Sequence, residues 1–392
     1  MCQNQVQDIG AAKPRRLNIF DSDGVPASRL NNKGQRKTDK QEKNENKGEG
    51  QGNVGDQLFS QMAKQLKDKQ ESGKPIDVND LRGTYDQVKA AAAVDPKKKE
   101  LKEVTKRVLA RKMKDGEFPS KKDLVLEMVA DIKNKDLRNQ IISDLENGFA
   151  KPDASAIIDP RAGENEDSVD EDEDGDDRRL GVTFGNNIWP GGVIKITLVA
   201  AGSFWSWWPM WIKALTAMVE VESQTTLSFH LVKVIYSKND MKNDGTSYLQ
   251  VSDGCYCCVS GGVGAPSSTS NQHIKVSSRC THGSMMHELL HSAGMMHQQT
   301  ASYRDRYITV NKNNIESGKE SQFDPLDTGH GLEGIYDYGS IMHYGEKAFS
   351  KNNGKTIDCH GNRCGQRDKL SNWDIIEIMW YYWGYYFKNP WL

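Results

Sequence analysis

Apolar residues follow strand or helix periodicity mainly in the second half of the chain. Alternation and short apolar runs predict four strands there, the last of them at the edge of a sheet. A period of three to four residues predicts one amphipathic helix between the first two strands and two helices after the last. The predicted strands are residues 193–200, 227–236, 247–252 and 273–278, and the predicted helices are residues 211–221, 284–294 and 373–382. This mixture predicts an α+β domain.

The first half of the chain is more polar, and its apolar positions are sparse. Residues 21–56 are rich in Lys, Asn, Gly, Gln and Asp, and this composition predicts disorder. Three helical patterns fit either a loose helical pro-region or a helical binding module, and the sequence leaves both readings open. Their apolar positions are Leu58, Phe59, Met62 and Leu66, then Leu101, Val104, Val108 and Leu109, then Leu124, Met128, Ile132, Leu137, Ile141 and Leu145.

A dense acidic block separates the two halves. Ten of the fourteen residues from Glu164 to Asp177 are Asp or Glu, which predicts a solvated, self-repelling linker. The block ends at Arg178-Arg179, a dibasic pair that a trypsin-like or furin-like protease could reach. We therefore predict two parts, a pro-region over residues 1–179 and a second domain over residues 180–392.

Composition limits the partners and the compartment. The formal net charge of −2 singles out no partner, so neither nucleic acid nor a membrane is expected. Nothing approaches the run of about 18 apolar residues that spans a bilayer. Six of the seven cysteines follow residue 250, which suits a secreted, disulfide-bonded domain. The first sixteen residues contain no apolar core of a signal peptide, so we expect the given start to be incomplete.

The run HELLHSAGMMH, residues 287–297, has the spacing of a metal site. His287 and His291 lie four apart, hence on one helix face, where both can reach a single Zn²⁺. Gly294 can end the helix and turn the chain back, which would bring His297 to the metal as a third ligand. Three protein ligands leave one position open, which is typical of a catalytic zinc site.

Glu288 follows the first histidine and could act on a water bound to the same metal. The short pattern HExxH also arises by chance on solvated helices, but HExxHxxGxxH fixes three ligands, a base and the turn glycine at once. A second signal comes about 45 residues later, where YDYGSIMHYG contains Met342 and Tyr344. A methionine is ordinarily core filler, but here it follows a zinc pattern.

These motifs resemble the metzincin peptidases, and SIMHY resembles the Met-turn of the astacin family. Further segments resemble the same family's first strand, the stretch after its zinc motif and its last helix; they are IWPGGVIKITL (188–198), TASYRDRYITV (300–310) and GQRDKLSNWDI (365–375). The resemblance covers about residues 180–386. It implies a twisted sheet and zinc helix above a cleft, with the Met-turn and the C-terminal helix below.

The resemblance also implies a function. We expect a zymogen that is cut after Arg179 and secreted, and that binds one Zn²⁺ and hydrolyses peptide bonds in protein or peptide substrates. Glu288 would be the general base. Tyr344 would be a zinc ligand in the resting enzyme and would hydrogen-bond the oxyanion during the reaction. The alternatives are an inactive homologue that acts as a binding protein, and an interaction protein that works through its acidic first half.

The chain departs from the family pattern in several places. Gln298 stands where the family has a glutamate that pairs with the mature N-terminus, so that link should be weaker. Thr226 stands at one half of a family disulfide. No clean FxGD pattern, which supplies the inhibitory aspartate in the family, is present; FDSDG at residues 20–24 is a poor match, and an aspartate within 170–177 could serve instead.

The remaining cysteines permit several arrangements. The resemblance implies a Cys255–Cys280 bridge, and CYCC at 255–258 resembles the Cys-rich loop of tolloid-type astacins, with a vicinal Cys257–Cys258 pair. Cys359 and Cys364 could close a small loop; free thiols, or a second metal site that includes His360, are the alternatives. Arg367 and Lys369 could favour acidic substrates if they lie near the cleft, although surface solvation is commoner for such residues.

Overall fold

The computed structural model describes residues 54–116, 118–163, 188–236, 248–253, 258–260, 263–266, 272–277, 280–326 and 335–388. The chain is divided into two compact units, which are Met1–Ile76 and Asp77–Leu392. In the first unit, helix α1 spans Val54–Glu71, as the first helical pattern predicts. The stretch predicted to be disordered lies outside the described residues except for its last three positions, which are helical. No described helix is both long enough and apolar enough to cross a membrane.

The second unit begins with a helical module, residues 77–147. Its helices are α2 (Val78–Ala91), α3 (Pro96–Lys114), α4 (Lys121–Asp131) and α5 (Lys135–Asn147). The third predicted pattern is thus two helices, because the side chain of Asn134 accepts a hydrogen bond from the Leu137 amide and starts a new one. Helix α2 was not predicted, although Asp77 and Asp80 form a capping box at its start.

Residues 149–163, called here the covering segment, follow the module. The segment begins with strand β1 (Phe149–Ala150) and continues without regular structure to Gly163. The helical module, the covering segment and the predicted peptidase domain all belong to one compact unit. The boundary predicted at residues 179 and 180 lies outside the described residues.

Five strands form the main sheet. They are β2 (Val193–Val199), β3 (Ser228–Ile235), β4 (Leu249–Asp253), β5 (Cys258–Ser260) and β6 (Gln272–Val276). The order is β3-β2-β4-β6-β5, and all neighbours are parallel except β5 and β6. The prediction that residues 273–278 form the edge was wrong, because β5 pairs with their outer side. A strand of three residues is too short to give a periodic signal.

Three helices complete the described domain. Helix α6 (Phe204–Gln224) starts seven residues before its prediction, since Pro209 is accommodated inside the helix. Helix α7 (His282–Ser292) matches the predicted zinc helix, and α8 (Asn372–Lys388) extends past its predicted end. Their buried residues, such as Trp207 and Trp211 in α6, build the core beside the sheet.

Short strands and one disulfide organise the part around the Met-turn. Strand β7 (Thr309–Val310) pairs antiparallel with β9 (Ile357–Asp358), and β8 (Tyr336–Asp337) pairs parallel with β1. Cys359 and Cys364 are bonded, which confirms the small closed loop. Cys280 is also in a disulfide. Its predicted partner Cys255 and the predicted vicinal pair lie outside the described side chains.

Candidate zinc and peptidase site

The zinc helix ends in a Schellman motif at the predicted glycine. Gly294 has φ +106° and donates its amide to His291 O at 2.8 Å, and the Met295 amide donates to Leu290 O at 2.9 Å. This 6→1 and 5→2 pattern satisfies the last helical carbonyls and reverses the chain. The side chain of Tyr381 closes the space beside Gly294. The turn delivers His297 to the same place as His287 and His291.

The three predicted histidines converge through one atom each. His287 Nε2 lies 3.0 Å from His291 Nε2 and 3.3 Å from His297 Nε2, and the last two are 2.9 Å apart. His287 is fully buried and His291 is nearly so. A tetrahedral zinc with Zn–N bonds of about 2.0–2.1 Å requires nitrogens roughly 3.3 Å apart. The set therefore fits that ion.

Hydrogen bonds of the other ring nitrogen, Nδ1, fix the tautomers of two of these histidines. His287 Nδ1 lies 2.9 Å from Ile341 O, and His291 Nδ1 lies 2.8 Å from Met295 O. A carbonyl oxygen only accepts, so each Nδ1 carries the proton and each Nε2 presents a lone pair to the shared centre. Ile341 belongs to the predicted Met-turn, so the turn orients the first histidine.

The Met-turn lies beneath the histidines and is held from α8. Asp374 accepts hydrogen bonds from Ser340 Oγ at 2.6 Å and from the Ile341 amide at 3.0 Å. Met342 is buried, and its carbonyl accepts from the Gln298 amide at 3.1 Å. Burial raises the pKa of Asp374. Sequence reasoning missed this carboxylate, since nothing local links it to the turn.

Glu288 and Tyr344 are both completely buried. Glu288 is on α7 directly after His287. The ring of Tyr344 lies 4.4 Å from that of His297, centroid to centroid, and Phe323 packs edge-on against it at 5.8 Å. The Tyr344 amide donates to Gln299 Oε1 at 3.1 Å. The structure thus groups all five predicted site residues around α7 and the Met-turn.

The covering segment lies directly on this site, which sequence reasoning did not foresee. The Gly345 amide donates to Ala162 O at 3.0 Å, and the Asp159 amide donates to Gly365 O at 2.9 Å. A Cβ added to Gly163 would come within 2.5 Å of Tyr344 Cδ1. Only a glycine allows the backbone to lie so close to the tyrosine ring.

The two basic residues considered for substrate binding have other contacts. Arg367 is buried and donates from Nη1 to His343 O at 2.9 Å. Lys369 forms an ion pair with Asp153 of the covering segment, with 2.9 Å between Nζ and Oδ2. Arg367 is thus not a surface residue, whereas the Lys369 side chain is 32% exposed and lies at the surface.

Comparison with known proteins finds similarity to a zinc metalloproteinase and to choriolytic (hatching) enzymes. Zinc metalloproteinase nas-15 of Caenorhabditis elegans is 34% identical over 200 residues, which are 49% of this chain and 31% of that protein. Low choriolytic enzyme of Oryzias latipes is 41% identical over 100 residues, 25% of this chain and 36% of that protein. A solved structure of High choriolytic enzyme 1, a hatching enzyme zinc-protease from Oryzias latipes, has 27% identity and a TM-score of 0.39, covering 50% of this chain and 94% of that one.

Family membership rests on the match to a family model. The chain spans about a third of the length of the two curated relatives described above. The model described as Astacin (Peptidase family M12A) matches residues 185–383, which is half of the chain. That range contains α7, the site histidines His287, His291 and His297, and the Met-turn. The chain therefore belongs to the astacin family.

Proposed function

We propose that this protein is a zinc-dependent endopeptidase that is made as a zymogen. The observation that carries the proposal is the convergence of three histidine Nε2 atoms within 3.3 Å of one another. His287, His291 and His297 would hold one Zn²⁺. Bound there, the ion would lower the pKa of a water molecule to about 7 and polarise the scissile carbonyl.

Glu288 is the proposed general base. Its carboxylate would take the proton from the attacking water and later give it to the leaving amine, so that the C–N bond breaks as the amine is protonated. The position of Glu288 supports this role, because it is buried on α7 directly after His287, the first of the three histidines that would hold the ion and its water.

Tyr344 is proposed to act in two positions. In the resting protein its hydroxyl would be a further zinc ligand, and during the reaction it would move and donate a hydrogen bond to the developing oxyanion. Its ring packs 4.4 Å from that of His297, centroid to centroid, which supports a place beside the metal.

Replacing Tyr344 with phenylalanine should slow the processed protein, which here means the cut chain separated from its N-terminal fragment, without inactivating it. Loss of one oxyanion donor lowers kcat by about 10²–10³-fold, and the three histidines are untouched. Steady-state hydrolysis of a casein-derived peptide measures the change. Tyr236→Phe, which alters an exposed tyrosine, is the control and should retain full activity. An unchanged kcat in Tyr344→Phe would exclude the tyrosine from oxyanion binding.

Removal of zinc tests the proposed function itself. A chelator should abolish casein hydrolysis by the processed protein, and added Zn²⁺ should restore it, with one zinc per chain in the active form. His291→Ala should lose both the zinc and the activity, because two imidazoles remain for a site that needs three. His360→Ala, at an exposed histidine, should keep both. Hydrolysis by zinc-free protein would contradict the proposal.

Latency is proposed to come from the covering segment. Gly163 packs against Tyr344, and the segment's backbone bonds to residues on either side of the site support a blocked state. A trypsin-like or furin-like protease would cut after Arg179, and Leu180 would begin the mature chain. N-terminal sequencing of active protein identifies the start, and a start inside residues 190–200 would refute this cut.

The remaining parts of the proposal concern location and partners. The bonded cysteines at 359 and 364 and at 280 support an extracellular protein, because disulfides persist in oxidising compartments. Protein or peptide substrates and the activating protease are the expected partners. Nucleic acid and membranes are not expected to take part.

A further inference from the structure

We propose that the helical module and the covering segment remain bound as a separate subunit after the chain is cut between Gly163 and Ile188. This inference rests on the proposed zymogen function. A single cut would then give a two-chain complex whose site is still covered, and activity would require a later dissociation step. The partner surface is on the peptidase domain, and the partner is the chain's own N-terminal fragment.

One side of α8 carries a first set of contacts. Trp373, Glu377 and Trp380, called here the α8 face, lie at helical positions i, i+4 and i+7, hence on one side of the helix. Trp373 Nε1 donates to Asp144 Oδ2 at 2.9 Å, and Trp380 Nε1 donates to Pro119 O at 2.9 Å. Both indoles bond groups of the helical module, so this side of α8 is covered.

An ion pair joins the same face to α4. Lys121 Nζ lies 3.3 Å from Glu377 Oε1, and the two side chains are only 10% and 19% exposed. The same ammonium lies 4.7 Å from the centroid of the Trp380 ring, and Phe118 packs at 5.2 Å from that ring. Poorly solvated charges are weakly screened, so this pair should matter more than a surface pair.

A second set of contacts holds α2 and α3 to α6 and β3. Glu222 on α6 receives Lys89 Nζ at 2.6 Å, and its backbone carbonyl accepts from Lys102 Nζ at 2.8 Å. Tyr85 also donates its hydroxyl to the Glu222 carboxylate. Arg82 Nε donates to Leu231 O at 2.7 Å. These contacts hold the helical module to a different part of the peptidase domain from the α8 face.

The covering segment adds a third set along its length. Arg363 donates from Nη1 to Ala154 O at 2.9 Å and from Nη2 to Ala156 O at 2.7 Å. Strand β1 adds two residues of parallel pairing to β8. These contacts, like those of the module, involve only residues up to Gly163 and after Ile188.

The location of the contacts leads to the inference. None of the described contacts named above involves residues between Gly163 and Ile188, so a cut there breaks none of them. Cutting ends the covalent connection, so the fragment loses the high effective concentration that linkage within one chain provides. Contacts at three separate places remain after that change, and all must break together for the fragment to leave.

The test uses the full chain cut by a furin-like protease. Complete cutting is checked by denaturing gel, and the products are separated by size under native conditions at about 1 µM, a concentration at which a complex with a Kd of about 1 µM would be more than half dissociated. We expect the two fragments to co-elute and casein hydrolysis to remain low until they are separated. Separate elution of fully cut, folded fragments would overturn the proposal.

Charge-swap variants test the α8 face. Lys121→Glu should weaken the complex about ten- to hundredfold, since it places two poorly solvated carboxylates together. Lys122→Glu, the same change at an exposed neighbour, should leave affinity unaltered, and Lys121→Glu with Glu377→Lys should restore it. Equal affinities for the Lys121 and Lys122 variants would overturn the assigned surface.

The readouts separate this inference from the proposed activity. Co-elution is a measurement of mass and does not require catalysis. Co-eluting fragments that never hydrolyse casein, even after separation in the presence of zinc, would sink the peptidase function and leave the complex standing. Fragments that separate at once and hydrolyse casein would support the peptidase function and refute retention.

Discussion

Replacing Glu288 with glutamine is expected to eliminate nearly all casein hydrolysis by the processed protein while one zinc per chain stays bound. The amide matches the carboxylate in size but cannot take a proton from water. General-base assistance contributes about 10²–10⁴-fold in rate, so the loss should reach that range. His287, His291 and His297 keep their Nε2 atoms, and retained metal separates lost base catalysis from a lost site.

Two controls make the Glu288 result interpretable. Glu316→Gln makes the same chemical change at an exposed glutamate and should leave the rate unchanged. Zinc content and the thermal unfolding midpoint of Glu288→Gln report whether the buried substitution disturbs α7. A folded, zinc-loaded variant that hydrolyses casein at the original rate would show that another group accepts the proton.

Replacing Gly163 with valine is expected to give the uncut chain peptidase activity. The new Cβ would lie 2.5 Å from Tyr344 Cδ1 and 2.6 Å from Cε1, distances that a folded structure does not tolerate. The φ of +102° adds strain for a β-branched residue, about 1–3 kcal/mol. The covering segment should then leave the tyrosine, which corresponds to a roughly five- to hundredfold increase in the uncovered fraction.

Gly116 offers a matched control for this substitution. It also lies before the acidic block and has φ +75°, but a Cβ there meets nothing within 4 Å. Gly116→Val should therefore carry backbone strain without uncovering the site. Both variants are compared in chains with Arg178 and Arg179 changed to glutamine, so that no processing occurs. If both uncut variants stay as inactive as the parent, Gly163 does not maintain latency.

Local sequence patterns were sufficient for the zinc helix and its turn. The offsets within residues 287–297 specify which side chains share a helix face, and Gly294 specifies where the chain reverses, so those three histidines could be placed before any fold was known. The strands at residues 193–199 and 228–235 were also clear, because apolar residues at alternating or adjacent positions recur through each of them. These features depend on neighbours within about eleven residues.

Features that depend on distant parts of the chain could not be predicted. Asp374 supports the Met-turn from 33 residues beyond Ile341, and its sequence neighbours identify it only as part of a helix. Gly163 lies 181 positions before Tyr344, and no periodicity links them. Helix α2 is a different case, since its capping residues and the apolar Leu81 and Val88, seven positions apart, are local signals in the sequence.

Loss of the pairing between β1 and β8 during maturation would change the solvation of the main chain at β8. The amides of Tyr336 and Tyr338 donate to Gly148 O and Ala150 O, both at 3.0 Å. When the fragment departs, both donors lose these acceptors together and must be rehydrated or taken over by another extended chain. The entrance to the Met-turn would thus gain two vacant main-chain donors, and a peptide lying there could satisfy them whatever its side chains.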